Sequence, residues 1–190
     1  MPDQRTTEEF GSSEAFEEWL SHNFDSSPGI WLRLAKKGSG IPSVTYDEAL
    51  LIALCWGWID GQKRPQDERY WLQAFGPRRA RSAWSKRNTQ LVEKLIAEGR
   101  MRPSGLAEVE KARGDGRWEK AYSGQRTAEL PQDFLDAVAE DPEAQRFLDQ
   151  LDKANRFAIF YRIQDAKRKE TRERRIRQFV EMLARGEKLY

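Results

Sequence analysis

The stretch Thr45-Tyr-Asp-Glu-Ala-Leu-Leu-Ile-Ala-Leu-Cys-Trp-Gly-Trp-Ile-Asp-Gly61 decides the fold. Thr45 and Glu48 stand at the spacing of a capping box. The Thr45 hydroxyl accepts from the amide of Glu48, and the Glu48 carboxylate accepts from the amide of Thr45. The helix that follows, Tyr46 to Trp56, is apolar almost all round after Glu48, which makes it central and buried. Gly57 stops it. Trp58 to Gln62 then reads as a short strand.

On the N-terminal side, Ile30, Leu32 and Leu34 alternate with Trp31, Arg33 and Ala35, the period of a strand over Ile30 to Lys36. Before it, Phe16, Trp19 and Leu20 share one face of a helix over Glu14 to His22, capped by Ser12 or Ser13. On the C-terminal side, Tyr70 to Phe75 is a third strand, reached through the polar, Pro65-containing segment Gln62 to Arg69. A helix starting near Ser82 or Ser85 carries the stripe Leu91, Val92, Leu95 and Ile96 and ends at Gly99. Pro103 to Arg113 is a shorter helix with Leu106 and Val109 inward, and Trp118 to Tyr122 returns to the core. A polar linker is expected over Ser123 to Glu129.

Beyond the linker the pattern is helical only. Pro131 is placed as a first helical residue, followed by the face of Phe134, Leu135 and Val138. Asp141-Pro142 caps and opens a second helix with Phe147, Leu148 and Leu151 inward. Phe157, Phe160 and Ile163, then Ile176, Phe179, Val180 and Leu183, keep helical spacing to the end. The expected fold is α+β: a small, mainly antiparallel sheet of three or four strands covered by helices on one face, in a domain over 10–125. A helical C-terminal module follows over 130–190.

Hydrophobic residues make up 38% of the chain and charged residues 34%, and seven Trp and nine Phe supply large areas for burial. The one cysteine, Cys55, allows no intramolecular disulfide, which fits a reducing compartment. Met1 to Phe10 lacks the basic start and apolar run of a signal peptide, and the longest apolar stretch, Ala49 to Ile59, is too short for a bilayer. A cytoplasmic location without membrane insertion is expected.

The net charge of +2 hides segregation. Residues 1–27 and 129–152 are acidic, whereas Arg78, Arg79, Arg81, Lys86 and Arg87 meet no acid between Gly76 and Asn88. Arginine presents flat, forked donors that suit phosphate oxygens. A helix opening at Ser82 or Ser85 would add free amides, and Trp84, Trp71 or Tyr70 would offer a ring for stacking. The candidate anion site therefore comprises Arg78, Arg79, Arg81, Ser82, Trp84, Ser85, Lys86 and Arg87, with Asp60 and Trp58 beside it. Asp60, set among Trp56, Trp58 and Ile59, needs a partner if buried, and Arg78, Arg79 and Arg81 are its candidates. The same arginines also serve as structural clamps and stacking partners. The ligand expected is nucleic acid or a phosphorylated small molecule.

No catalytic set emerges. The only histidine, His22, closes a surface helix, and Cys55 lies on a helix expected to be buried. No cofactor and no metal set is assigned, since one His and one Cys do not make a zinc site. Glu14, Glu17 and Glu18 with Glu8 and Glu9 offer a weak oxygen-ligand alternative. The basic run from Lys167 holds four acid-first pairs at i, i+4: Asp165–Lys169, Glu170–Arg174, Glu173–Arg177 and Glu181–Arg185. Each supports a helix by ~0.2–0.5 kcal/mol. The cations left over, Lys167, Arg168, Arg172 and Arg175, are expected to meet the acidic block at 129–152.

Two stretches carry a family resemblance. One is Leu54-Cys-Trp-Gly-Trp-Ile-Asp-Gly61 with Gly76-Pro-Arg-Arg-Ala-Arg-Ser-Ala-Trp-Ser-Lys-Arg-Asn88 and Gly99-Arg-Met-Arg-Pro-Ser-Gly105. The other is Ala166-Lys-Arg-Lys-Glu-Thr-Arg-Glu-Arg-Arg-Ile176. From about Phe10 to Lys188 the chain resembles the YdeI/OmpD-associated, bacteriocin-protection family. The resemblance implies a small α+β region before a helical module, and a role in stress response or resistance to bacteriocins and antimicrobial peptides. It brings no catalytic residues. It also implies, by analogy of fold, a link to frataxin-like iron-handling proteins. Three functions are thus expected to compete: a non-enzymatic resistance protein that binds an anion, an iron-handling module with acidic helix faces, and an enzyme on a small anionic substrate with Asp60 in its site. A homodimer through the C-terminal helices is a further expectation.

Overall fold

The Thr45 capping box forms as the spacing requires: the Glu48 amide donates to Thr45 Oγ1 at 3.3 Å, and the Thr45 amide donates to Glu48 Oε2 at 2.8 Å. It opens the central helix of the N-terminal part of the molecule. The computed structural model describes residues 4–123 and 129–190. It divides into two compact units, Met1–Ala121 and Tyr122–Tyr190. Most of the expected linker, 124–128, lies outside the described residues.

The N-terminal unit runs β1 (Thr6–Glu9), α1 (Ser13–Asn23), β2 (Ile30–Ala35), α2 (Tyr46–Cys55), β3 (Trp58–Pro65), β4 (Tyr70–Pro77), α3 (Lys86–Ala97) and α4 (Pro103–Gly114). The four strands form one sheet in the order β1-β2-β4-β3. The pairs β2–β4 and β3–β4 are antiparallel, and β1–β2 is parallel. Of these, β1 was not expected. Its polar Thr-Thr-Glu-Glu sequence carries no apolar alternation, and its strand character comes from pairing with β2, a neighbour remote in sequence. Leu106 is also half-turned to solvent, 38% exposed, where an inward position was expected; Gly105, Val109 and Ala112 make the buried face of α4 instead.

Strand alternation sends Ile30, Leu32, Leu34, Trp58 and Phe75 into one core with α1, α2, α3 and α4. Helix α2 is covered as its sequence demands: Ala49, Leu50, Ile52, Ala53, Leu54 and Cys55 are all buried, and α1, α3, α4, β3 and β4 all touch it. Gly57, at φ +83°, makes the left-handed turn from α2 into β3. Its neighbour in space, α4, closes on the end of α2. The Arg102 amide donates to the Cys55 carbonyl at 3.0 Å, and Ser104 Oγ donates to the Trp56 carbonyl at 2.9 Å.

One polar side chain sits on the core face of the sheet. Gln73 is 4% exposed, and its Nε2 donates to the carbonyls of Gly61, Gln62 and Ala74 at 2.8, 3.3 and 3.3 Å. These contacts fall where the β3–β4 register shifts, between Asp60 and Lys63. A bulge leaves backbone groups without ladder partners, and the Gln73 amide supplies the missing donor.

The C-terminal unit holds α5 (Gln132–Ala139), α6 (Pro142–Gln150), α7 (Lys153–Gln164) and α8 (Lys169–Ala184). Pro131 is the cap of α5 rather than its first residue. Phe134, Val138, Leu148, Ile159, Ile163, Ile176, Phe179 and Leu183 form its core. Asn155, 2% exposed, accepts from the amides of Leu189 and Tyr190 at 2.9 and 3.0 Å and donates to Asp152 Oδ2 at 3.0 Å. None of the four acid-first pairs is an ion pair here. The chain breaks between α7 and α8, so Asp165 and Lys169 do not share a helix, and Asp165 lies 3.6 Å from Arg175. Arg172 instead grips Asp133 through two hydrogen bonds of 2.7 and 2.8 Å, which is the expected meeting of a leftover cation with the acidic block. That arginine is the first cause of the lowered Asp133 pKa.

A Cβ on Gly105 would stand 2.2 Å from the Cys55 carbonyl oxygen, with backbone on both sides of the contact. Gly105→Ala is therefore expected to push α4 off the end of α2 and cost about 1–3 kcal/mol or more, read as a lower midpoint in denaturant unfolding.

Candidate functional site

A cleft of about 430 Å³ opens in the N-terminal unit. Gln4 and Arg5 before β1, Pro28, Ile59–Gly61 of β3, Ala74–Pro77 of β4, and Arg79 and Ser82 line it. The residues that lack side chains beyond Cβ are what make it hollow. Gly61 lies where an added Cβ would be 3.3 Å from Ala74 Cβ, and a Cβ on Gly76 would be 3.4 Å from Gly29 Cα. Trp31 pairs with Ala74 in the β2–β4 register, so its indole shares that face of the sheet. The guanidinium groups of Arg5 and Arg64 lie over this ring at 4.4 and 4.1 Å from its centroid. Nearby, Arg33 lies 4.0 Å over the Tyr70 ring and pairs with Glu9 at 3.3 Å.

Three of the residues singled out from sequence meet in this cleft: Asp60, Arg79 and Ser82. Arg79 and Ser82 are fixed by a turn. The Ser82 amide donates to the Arg79 carbonyl at 2.9 Å, and the Arg79 amide donates to Ser82 Oγ at 3.0 Å. Arg117 holds the turn from outside by donating to the Ser82 carbonyl at 2.9 Å. Asp60 is not clamped by an arginine as expected. Its hydrogen-bond donor is the Tyr46 hydroxyl, 2.9 Å from Oδ2. Tyr46 projects from the first turn of α2, and burial, then the neighbouring Asp60 charge, pushes its pKa up to about 12.

The other candidates are placed elsewhere. Trp84 is 2% exposed and packs on Trp118 at 4.8 Å, so it offers no ring to a ligand. Trp58 is 1% exposed and donates from Nε1 to the Phe24 carbonyl at 2.8 Å. Arg78 is buried with its guanidinium 3.4 Å from the Trp84 ring centroid, and is part of the core. The Ser85 hydroxyl caps α3 by accepting from the Asn88 amide at 3.1 Å. Arg81 and Lys86 are exposed and do not line the cleft. Arg87 pairs with Asp47 at 2.8 Å, 5.8 Å from the Tyr46 ring. The run of five cations is thus divided: one side chain goes to the core, one to the cleft, three to solvent.

Arg5 and Gln4 were missed from sequence. They reach the cleft because β1 pairs with β2, and a four-residue polar strand leaves no periodic signal of that pairing.

The remaining candidates for chemistry find little support. The Cys55 thiol is buried, and burial pushes its pKa up, away from thiolate. Among the described residues no group of three His, Cys, Asp or Glu side chains is placed to hold a metal ion. On the acidic face of α1, Glu17 pairs with Arg102 at 2.8 Å. Among the described residues no helix is long and apolar enough to cross a membrane.

Residues 8–108 match the model of a family described as a domain of unknown function, DUF8412. Residues 127–186 match the model described as bacteriocin-protection, YdeI or OmpD-associated. The expected resemblance to that second family is therefore found in the C-terminal stretch, and the N-terminal motifs around Leu54 to Gly105 fall within the first. No curated protein and no solved structure matches the chain.

Two outcomes follow from this placement. Arg78→Ala removes a guanidinium stacked in the core and is expected to destabilise the protein by about 1–3 kcal/mol. Arg79→Ala and Arg81→Ala are expected to stay within about 0.5 kcal/mol of the parent in the same unfolding assay. Tyr46 is neutral when protonated, and its folded pKa lies above the ordinary value of 10.0. Its contribution to stability is thus complete below pH 10 and lost as pH rises toward about 12. Tyr46→Phe is expected to make the fall of unfolding midpoint across that window shallower, and to remove the last step of the tyrosinate absorbance titration.

Proposed function

We propose, for a chain that belongs to the DUF8412 family and carries a C-terminal match to the bacteriocin-protection, YdeI or OmpD-associated model, that it is a cytoplasmic resistance protein that binds an anionic partner in the Arg5–Arg79 cleft. The observation that carries the binding is the pair of guanidinium-bearing side chains lining one hollow whose floor is Gly61, Ala74 and Gly76. Small residues let an anion come close to the sheet, and forked guanidinium donors match phosphate oxygens in geometry and charge. The protective role is supported by the C-terminal family match alone. The binding role is supported by the chemistry of the cleft. The acidic face of α1, tied to Arg102 through Glu17, does not favour iron handling. Among the described residues no nucleophile–base pair favours turnover.

The test is a tryptophan-fluorescence titration with inorganic phosphate, pyrophosphate and a short single-stranded oligonucleotide, at low and high salt. Trp31 lies under Arg5 and reports on the site. Binding is expected to weaken with salt. In the folded Arg5→Ala/Arg79→Ala double variant it is expected to weaken roughly ten-fold or more. Host cells lacking the protein are expected to be more sensitive to bacteriocin, and the double variant is expected not to restore them. Absence of a response to all three ligands sinks the anion-binding role.

A further inference from the structure

We infer that the anionic partner is a single-stranded nucleic acid, with a phosphate in the cleft and the neighbouring bases stacked on Arg64 and Arg33 across the sheet face opposite α1–α4; this rests on the anion-binding reading above. Helices α1 to α4 share one core with Ile30, Leu32, Leu34 and Phe75, so all four pack on that face of the sheet. The register sends Trp31 and Arg33 of β2, Tyr70, Leu72 and Ala74 of β4, and Arg64 of β3 to the other face. Trp31 and Ala74 are buried there, at 5% and 1% exposed, yet neither belongs to the core of either unit. Arginine side chains cover the indole instead. Thr7 on β1 and Gly61 and Arg64 on β3 are exposed, so this face meets solvent along both of its edges.

Two guanidinium groups lie over rings on this face. Arg64 stands 4.1 Å from the Trp31 centroid and Arg33 stands 4.0 Å from that of Tyr70, which is stacking distance. Arg33 Nη1 pairs with Glu9 at 3.3 Å and its Nη2 with Asp67 at 3.6 Å. Those bonds engage the edge of the group, so Arg33 brings a plane and little net charge. Arg64 is exposed, and among the described residues no ion pair engages it, so it brings plane and charge together. A base stacks on a guanidinium plane as it does on an aromatic ring. A single strand offers such a base beside every phosphate. An acidic peptide brings charge without flat rings, and in a duplex the bases are already stacked on one another. The cleft and the face are also continuous. Gly61 and Ala74 line the cleft and belong to this face. Arg64 stands opposite Leu72, two residues along β4 from Ala74, or about 7 Å.

The test is equilibrium titration of the full chain, at one ionic strength, with inorganic phosphate, UMP, a short oligouridylate, a short oligothymidylate, and a DNA duplex and a polyglutamate peptide of equal length. A single strand is expected to bind roughly ten-fold or more tightly than UMP, the gain of a stacked base. Gain with either strand supports the assignment, and the tighter of the two distinguishes RNA from DNA. Arg64→Lys keeps the charge and removes the plane. It is expected to erase most of that gain while phosphate binding stays unchanged. Single strands no tighter than UMP, or matched by the duplex or the peptide, overturn the nucleic-acid assignment and leave the anion site standing. A gain that persists in folded Arg64→Lys overturns the stacking face. Failure of phosphate and every other probe to bind overturns both readings. If Arg64→Lys does not fold, the comparison of probes on the parent chain decides alone.

Discussion

Past its first turn helix α2 has almost no face for water, and the N-terminal unit is arranged around that constraint. A helix apolar on all sides is stable only when other elements surround it, and here α1, α3, α4 and the sheet do so. The tightest of these contacts is with α4. The last carbonyls of a helix need donors from outside it. Those of Cys55 and Trp56 receive them from the Arg102 amide and Ser104 hydroxyl. Such donors reach a buried helix end only if backbone meets backbone, which is why Gly105 stands where a Cβ would meet the Cys55 carbonyl. Capping, close approach and burial of α2 are one solution to one problem.

The same helix sets up the cleft. Its first turn is polar where the rest is apolar, and Tyr46 in that turn reaches across to Asp60. Asp60 is available because β3 is irregular just beyond it. The register slips between Asp60 and Lys63, and Gln73 satisfies the carbonyls of Gly61 and Gln62 from the core side. A bulge re-aims side chains near it. It also places Gly61 against Ala74, which hollows the sheet face. A buried glutamine on a strand otherwise facing an apolar core thus has a structural reason.

Much of this was legible in the sequence, and the parts that were not have a common cause. The capping box, the all-round apolar helix, the strands β2, β3 and β4 and the helical C-terminal segment are local patterns, fixed by residues a few positions apart. The strand β1 is not local: Thr6–Glu9 pairs in parallel with Ile30–Arg33, and nothing in Thr-Thr-Glu-Glu marks it. Arg5, at the cleft, was lost with it. The arginine run from Arg78 to Arg87 read as one strip because sequence shows charge but not direction. In space Arg78 turns inward onto Trp84, Arg79 turns to the cleft, and Arg87 turns to Asp47. One pair expected along the C-terminal run failed for a related reason: the chain breaks between α7 and α8, which separates Asp165 from Lys169.

The fate of that strip also explains why Asp60 reached the cleft without an arginine clamp. A direct Asp–Arg pair would have neutralised both groups and filled the hollow between them. Tyr46 instead gives Asp60 a neutral donor, which fixes the carboxylate while leaving its charge uncancelled. Burial, then the Asp60 charge, pushes the tyrosine's pKa up to about 12, which keeps its hydroxyl protonated as a donor at neutral pH. Arg79, for its part, is held by backbone bonds of its turn with Ser82, and among the described residues no ion pair engages its guanidinium. Asp60 turns to the face of Tyr46 and Phe75, and Arg79 stands beyond the end of β4, so the two are held independently. That arrangement distinguishes this cleft from the stacked, buried Arg78–Trp84 pair a few residues away.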